Sequence, residues 1–195
     1  MSTIQTIDPA DATGTVAELY ADDQDDLGYV AEYTRVMALN PEAYLAWEAL
    51  ARAVAAPLGT RRYELVTLAA ARGVHSAHCR LAHGRKTLGI IDEDQLVAIA
   101  RDPATAGISP AEVAMMEYAE RVSTDPGGMG DADTERLRAV GFSDREIVDI
   151  TLAAAARNYF SRAIQALGVE VRVPPGVSDE LRDALLTFDA PDPSR

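Results

Sequence analysis

Residues 64–83 read ELVTLAAARGVHSAHCRLAH, and this stretch decides how the rest of the chain is interpreted. Its first half is an alanine-rich, helix-forming run that ends at a glycine. Its second half contains Cys79, the only cysteine of the chain, together with all three histidines, His75, His78 and His83. Thiol and imidazole groups are the side chains most easily tuned to react near neutral pH. The stretch therefore predicts two consecutive helices and a reactive cysteine at the start of the second.

The spacing of the residues within this stretch indicates which of them can act together chemically. Ser76 is well placed to cap the second helix, which puts Cys79 in its first turn, where unpaired amides and the helix dipole favour the thiolate. His83 follows Cys79 by four residues and shares its helix face, so the two can exchange a proton. Glu64, one helix earlier, can fold back across the turn and hydrogen-bond to His83. These residues predict a thiol nucleophile with a proton relay.

The spacing of Glu64, Ser76, Cys79 and His83 resembles the alkylhydroperoxidase D-like, peroxidase-related branch of the carboxymuconolactone decarboxylase family. The motif of that branch reads Glu, Cys-x-x-Cys, x-x-x-His. The similarity covers about residues 10–172 and extends to the segments LGYV at 27–30, NPEA at 40–43 and ALGVE at 166–170. It implies an all-α fold, a compact multi-helix bundle that assembles as homo-oligomers, typically trimers or hexamers.

The resemblance also implies roles for the site residues. Cys79 is expected to attack the O–O bond of a peroxide, with His83 as its base and Glu64 as the group that orients the base. Ser76 stands where the family has its partner cysteine, so the sulfenic acid formed on Cys79 has no neighbouring thiol, and an external thiol reductant must resolve it. His78 stands where the family often has tyrosine and is a second candidate base or donor. The expected activity is an antioxidant, peroxiredoxin-type reduction of peroxides.

A second enzymatic function stays open because Ser76 removes the redox pair. The decarboxylase branch of the same family uses acid–base groups on a small acidic lactone, and Glu64 and His83 are suited to such proton transfer. In that case Arg61 or Arg62 would hold the carboxylate of the substrate.

Two non-enzymatic interpretations also stay open. A lone cysteine in an alanine-rich helix is often a small buried hydrophobe, and the protein would then be a non-catalytic helical oligomer. The other interpretation is a zinc-binding protein, because three imidazoles and a thiolate are ligands that zinc accepts. In one helix, however, His75, His78, Cys79 and His83 would span an arc of about 140°, which is too broad for one ion. No metal site is therefore expected, and the absence of a flavin, haem or nucleotide motif predicts no cofactor.

Helical patterns follow one another along the whole chain. Capping-box spacings begin at Thr15, Ser109 and Ser143, whereas the acidic run at 22–26 is expected to form a solvated turn. Helices are predicted at about 15–23, 41–55, 60–72, 76–88, 92–101, 110–123, 131–140 and 144–167, with a weaker one near 178–188.

The expected organisation is a single all-helical domain over 1–195. The first half, 10–101, contains the Glu/Ser-x-x-Cys/His motif, and the second half, 109–172, is expected to be a scaffold-like repeat. The repeat is visible as TLAAA at 67–71 and again at 151–155. Asn158, Tyr159 and Arg162 follow the second copy and are candidates for lining a pocket, but packing or intersubunit contacts are preferred for them.

Composition limits the possible partners. The 195 residues contain 31 acidic and 18 basic side chains, a net charge of −13, which repels nucleic acid and anionic membrane surfaces. No apolar run approaches the roughly 20 residues of a membrane span, and the N-terminal segment lacks the pattern of a signal peptide. A cytoplasmic protein is expected, with a peroxide or another small molecule as substrate and a thiol as reductant.

Overall fold

The computed structural model describes residues 4–188 of the chain, and these residues form ten α-helices and no β-strand. The all-α prediction is confirmed. Residues 1–3, which begin the segment in which no signal peptide is expected, lie outside the described part. The helices are α1 (Gly14–Leu27), α2 (Glu32–Met37), α3 (Pro41–Ala55), α4 (Gly59–Gly73), α5 (Ala77–Thr87), α6 (Glu93–Arg101), α7 (Pro110–Thr124), α8 (Asp131–Ala139), α9 (Asp144–Ala166) and α10 (Asp179–Leu186).

Every predicted helix is present, and each end lies within four residues of its expected position. The structure differs from these predictions near the N-terminus. The acidic run at 22–26 is not a turn, because α1 continues to Leu27 and ends only where Gly28 adopts a left-handed conformation with φ 79°. The six-residue helix α2 was not predicted, since it is short and has no side-chain cap.

Side-chain caps fix most of the predicted helix starts. The capping boxes at Ser109 and Ser143 are both formed, each with the glutamate three residues later. The box expected at Thr15 is wrong, because α1 begins one residue before it and Thr13 occupies the cap position without a side-chain bond.

Helix α4 is the centre of the bundle. It packs against α5, α7 and α9, and its residues from Glu64 to Arg72 are all buried. The main hydrophobic core surrounds it and includes Leu65, Leu81, Met115 and Ile150. A smaller core joins α1, α2 and α3 to the end of α4 and to α9, and Cys79 belongs to this second core.

The corner between α4 and α5 determines where the cysteine lies. A side chain on Gly73 would place its Cβ 2.8 Å from the Glu120 backbone oxygen and 2.8 Å from Ser123 Cβ, so α4 can approach α7 only through a glycine. His75 then turns the chain with a positive φ of 53°, and α5 begins directly after Ser76. The predicted break at Gly73 and the predicted cap at Ser76 are both confirmed.

No helix within residues 4–188 combines the length and the apolar character that a membrane crossing requires.

Candidate active site

Cys79 lies in the first turn of α5, as predicted. Its side chain is buried, with 1% of its surface exposed. The Ser76 hydroxyl accepts a hydrogen bond from the backbone amide of Cys79 at 3.4 Å, which is the bond of an N-cap residue. Ser76 therefore holds the backbone of the cysteine.

Glu64 and His83 meet across the α4–α5 corner in the way the sequence predicts. His83 Nδ1 lies 2.6 Å from Glu64 Oε2, and both side chains are buried. Burial, together with the nearby positive charge of Arg157, lowers the pKa of His83 to about 4. Burial alone would raise the pKa of Glu64, but the contact with His83 and the charges of Lys86 and Arg157 bring it below its ordinary value.

These pKa shifts define the protonation of the pair at neutral pH. Glu64 is ionised and His83 is neutral, so Nδ1 donates its proton to the carboxylate and Nε2 keeps the lone pair. A neutral imidazole that is held in one tautomer by a carboxylate has the form of a general base.

Two side chains of α9 contact the sulfur of Cys79. The Ser161 hydroxyl donates a hydrogen bond to Sγ at 3.2 Å, and Arg157 Nη1 donates to Sγ at 3.8 Å. The second half of the chain, described from the sequence as scaffold-like, thus supplies two groups to the site. Ser161 and Arg157 are both buried.

Arg157 is a buried cation in contact with the cysteine. Its Nη2 donates to the Tyr63 hydroxyl at 3.3 Å, and its guanidinium lies 5.7 Å from the centres of the Trp47 and Phe160 rings. Burial works against the charge, but Cys79 and Tyr63 raise the pKa of Arg157 above its ordinary value. Within residues 4–188 no carboxylate forms a salt bridge with it. A buried charge is costly without a counter-charge, and the ionised carboxylate of Glu64 interacts with this cation.

Cys79, His83 and Arg157 all line one cavity of about 760 Å³. This volume is within the usual range for small-molecule sites. The remaining wall comes mainly from the N-terminal helices and from the segment that follows α9. Aromatic residues that line the cavity are Tyr29, Tyr33, Tyr44, Trp47, Tyr63 and Phe160.

The other histidines differ in their surroundings. His78 lines the same cavity, with its ring edge-on to Tyr33 at 5.2 Å, and burial lowers its pKa to about 4. The ring of His75 instead lies 5.3 Å from the ring of Phe188, near the C-terminal end of the described chain. Within residues 4–188 no three His, Cys, Asp or Glu side chains form a group that could hold a metal ion.

The arginines proposed to hold a lactone carboxylate lie elsewhere. Arg61 pairs with Glu112 at 2.6 Å and Arg62 pairs with Glu146 at 3.1 Å, so both tie α4 to the second half of the chain. Neither lines the cavity. The suggestion that Arg61 or Arg62 would hold a lactone carboxylate is therefore wrong, because both guanidiniums are paired with glutamates of α7 and α9 instead.

The functional candidates that the sequence analysis missed are Tyr63, Arg157 and Ser161. A signal for Arg157 was present, because α9 has a stripe of apolar residues at helical spacing in which Arg157 replaces an apolar side chain. The residues that were considered instead lie off this stripe. Tyr159 is 50% exposed, and Arg162 donates a hydrogen bond to the Ser123 carbonyl.

No protein-family model matches the chain, and no curated protein matches it. Solved structures do. A peroxidase-related protein of Ralstonia eutropha, described as an alkylhydroperoxidase AhpD core, has a TM-score of 0.75 and 25% identity, over 95% of this chain and 97% of its own. A peroxidase-related protein from Silicibacter has a TM-score of 0.74 and 21% identity, over 88% and 92%.

The debrominase Bmp8, in complex with 2,3,4-tribromopyrrole, has the same fold, with a TM-score of 0.74 and 15% identity over 95% of this chain and 98% of its own. These similarities confirm the resemblance to the alkylhydroperoxidase D-like branch and its all-helical fold. Because the fold is shared by a debrominase and by peroxidase-related proteins, the reaction of this chain has to be argued from its own site.

Proposed function

We propose that the protein is a thiol-dependent hydroperoxidase in which Cys79 reduces a peroxide. The observation that supports this most is the placement of the Cys79 sulfur against the buried cation of Arg157, at the wall of a cavity that is also lined by His83, the partner of Glu64. This arrangement supplies a nucleophile, a charge that favours the thiolate, and a base.

The first half of the reaction oxidises the cysteine. His83 takes the thiol proton, and the thiolate attacks the terminal oxygen of the hydroperoxide. The O–O bond breaks, a sulfenic acid forms on Cys79, and the alkoxide leaves and takes up a proton to become an alcohol. The sulfur loses two electrons and the peroxide gains them.

The second half of the reaction needs a thiol from outside the chain. Cys79 is the only cysteine, so no intramolecular disulfide can form. One external thiol attacks the sulfenic sulfur and releases water, and a second attacks the mixed disulfide and restores Cys79. The sum is one hydroperoxide and two thiols converted to alcohol, water and one disulfide.

Intact-protein mass after brief exposure to cumene hydroperoxide, with a sulfenic-acid trap present, tests the proposal. We expect rapid adduct formation in the wild type and none in Cys79→Ser. His83→Ala and Glu64→Gln should both react more slowly, by at least about tenfold for His83→Ala, because a general base has been lost. His75→Ala is the matched control, since its ring contacts Phe188 and not the site. A wild type that forms no adduct over many minutes would rule the function out.

Acid–base chemistry on a small acidic lactone is the second candidate. One observation favours it: Arg157 is a buried guanidinium that lines the cavity together with His83, and it can hold a carboxylate in place of Arg61 and Arg62. The Cys79→Ser variant separates the two functions. A lactone decarboxylase with this substitution would turn over its substrate at an unchanged rate, whereas the hydroperoxidase would be inactive.

A further inference from the structure

Four tyrosines line the cavity, and Tyr63 differs from the other three in its relation to the cysteine. Its hydroxyl accepts a hydrogen bond from Nη2 of Arg157 at 3.3 Å, while Nη1 of the same guanidinium donates to the sulfur of Cys79 at 3.8 Å. The two nitrogens are joined by one carbon atom in a rigid plane. Arg157 therefore holds the phenol of Tyr63 and the thiol of Cys79 side by side.

The direction of this hydrogen bond determines what Tyr63 can do. A guanidinium only donates, so the phenol oxygen is the acceptor and its own proton remains free for another partner. Tyr63 lines the cavity, and the edge of its ring approaches His83 with 6.3 Å between the ring centres. The free O–H is thus available to a molecule that is bound beside the sulfur.

The proposed peroxidase step has a place for such a donor. At neutral pH His83 is uncharged, so it acts as the acceptor of the thiol proton. The alkoxide released from an alkyl hydroperoxide is strongly basic, and its departure is faster when a proton is supplied. A second group that holds its own proton beside the sulfur can supply it.

We propose that Tyr63 is this acid, a catalytic residue that protonates the leaving oxygen of the hydroperoxide, an assignment that rests on the proposed peroxidase function. The sulfur electron pair forms the S–O bond, the O–O pair leaves on the alkoxide oxygen, and that oxygen takes the Tyr63 proton to give the alcohol. Arg157 stabilises the tyrosinate that remains. The proton that His83 took from the thiol then returns to Tyr63, so both groups are restored.

Oxidants that differ in the basicity of their leaving group test this role. Cumene hydroperoxide releases a basic alkoxide, whereas peracetic acid releases acetate, which needs no proton. We expect Tyr63→Phe to slow oxidation of Cys79 by cumene hydroperoxide at least about tenfold, as for loss of a general acid, and to change the rate with peracetic acid less than about threefold. Tyr44→Phe is the control, because Tyr44 lines the same cavity but its hydroxyl bonds to Thr34.

Each other outcome is decisive. An equal loss of rate with both oxidants, or no loss with cumene hydroperoxide, would overturn the role of Tyr63 and leave the peroxidase function standing. A wild type that reacts with neither oxidant would overturn both.

A wild-type measurement avoids dependence on a variant that folds poorly. The oxidation rate with peracetic acid divided by the rate with cumene hydroperoxide should be at least about tenfold smaller for Cys79 than for free cysteine. The reason is that the acid compensates for the poor leaving group of cumene hydroperoxide. A ratio equal to that of free cysteine would overturn the proposal.

Discussion

Arg157 is the residue whose position says most about the chemistry of the site. It is 5% exposed, its guanidinium donates hydrogen bonds to Cys79 and Tyr63 within residues 4–188, and its charge is retained against the cost of burial. An isolated buried cation is strongly unfavourable. The ionised Glu64 carboxylate interacts with this cation. A negative charge that develops on the Cys79 sulfur during a reaction meets the same cation at 3.8 Å.

Replacing Arg157 should slow the cysteine itself, independently of any peroxide. We expect Arg157→Met to reduce the rate of Cys79 alkylation by iodoacetamide at pH 7 by at least about tenfold, because one opposite charge at this distance is worth more than about 1.4 kcal/mol in a buried site. The alkylation rate of Arg157→Lys should lie between those of Arg157→Met and wild type, since lysine keeps the positive charge but lacks the planar pair of guanidinium nitrogens. Arg162→Met is the control, because Arg162 is an exposed arginine on the same helix. Equal alkylation rates for Arg157→Met and wild type would show that Arg157 does not assist the sulfur as a nucleophile.

The protonation of His83 links the site to the stability of the fold. Its pKa is about 4 in the folded protein and about 6.5 when unfolded, so the unfolded chain takes up the proton first as the pH falls. The contribution of neutral His83 is fully present above pH 6.5 and is lost as the pH falls toward 4. We expect this preferential protonation of the unfolded chain to lower the free energy of unfolding by about 2 to 3 kcal/mol between pH 6.5 and 4.5.

Urea unfolding of the wild type and of His83→Gln over this pH range measures the effect. The wild type should lose more stability on acidification than the variant, in which residue 83 no longer titrates. His78 shifts in the same direction and is present in both proteins, so its effect cancels. Parallel curves for the two proteins would show that His83 is not held neutral.

At the residue scale, the sequence was sufficient to predict the site residues on α4 and α5 but not those on α9. Glu64, Ser76, Cys79 and His83 lie within twenty residues, so helix geometry and one turn were enough to bring them together. Arg157 and Ser161 follow Cys79 by 78 and 82 positions, and their approach depends on how α9 packs on α4 and α5. Periodicity shows which face of a helix is buried, but it does not show what the face is buried against.

At the scale of elements, the close contact between α4 and α7 fixes the corner that holds Glu64 and Cys79 in register. We expect Gly73→Ala to destabilise the protein by about 1 to 3 kcal/mol, because the added Cβ meets the Glu120 backbone, which cannot move alone. Gly89→Ala is the control, since its Cβ would meet nothing closer than 3.7 Å. Thermal unfolding of both variants measures the difference. A Gly73→Ala protein as stable as Gly89→Ala would show that α4 and α7 have room to separate.

The elements themselves were mostly predictable because their caps are local. Ser109 and Ser143 satisfy the first amides of α7 and α9 within four residues of sequence, and such bonds need no tertiary context. The acidic run at 22–26 was misread because its charge suggested solvent, and it is indeed largely exposed. Exposure on one side does not prevent a helix, and α1 continues until Gly28.

At the scale of the whole molecule, α9 has two faces with different tasks. One face is buried and places Arg157 and Ser161 against Cys79. The other presents an apolar stripe at helical spacing, in which Val148 is 52%, Leu152 49% and Tyr159 50% exposed. A continuous exposed apolar face marks an interaction surface. We propose that this stripe joins copies of the chain in the homo-oligomer that the family resemblance implies.

A charge in the middle of the stripe should therefore separate the copies. We expect light scattering to give the wild type the mass of a trimer or hexamer, and Leu152→Glu a smaller mass, because a carboxylate buried between copies has no partner. Leu39→Glu is the control, as Leu39 is 46% exposed at the turn between α2 and α3. The opposite face of the same helix places Arg157 and Ser161 against Cys79. Loss of the contact between copies should therefore also slow alkylation of Cys79 in Leu152→Glu. A monomeric wild type, or a Leu152→Glu protein of unchanged mass, would exclude this surface as the interface.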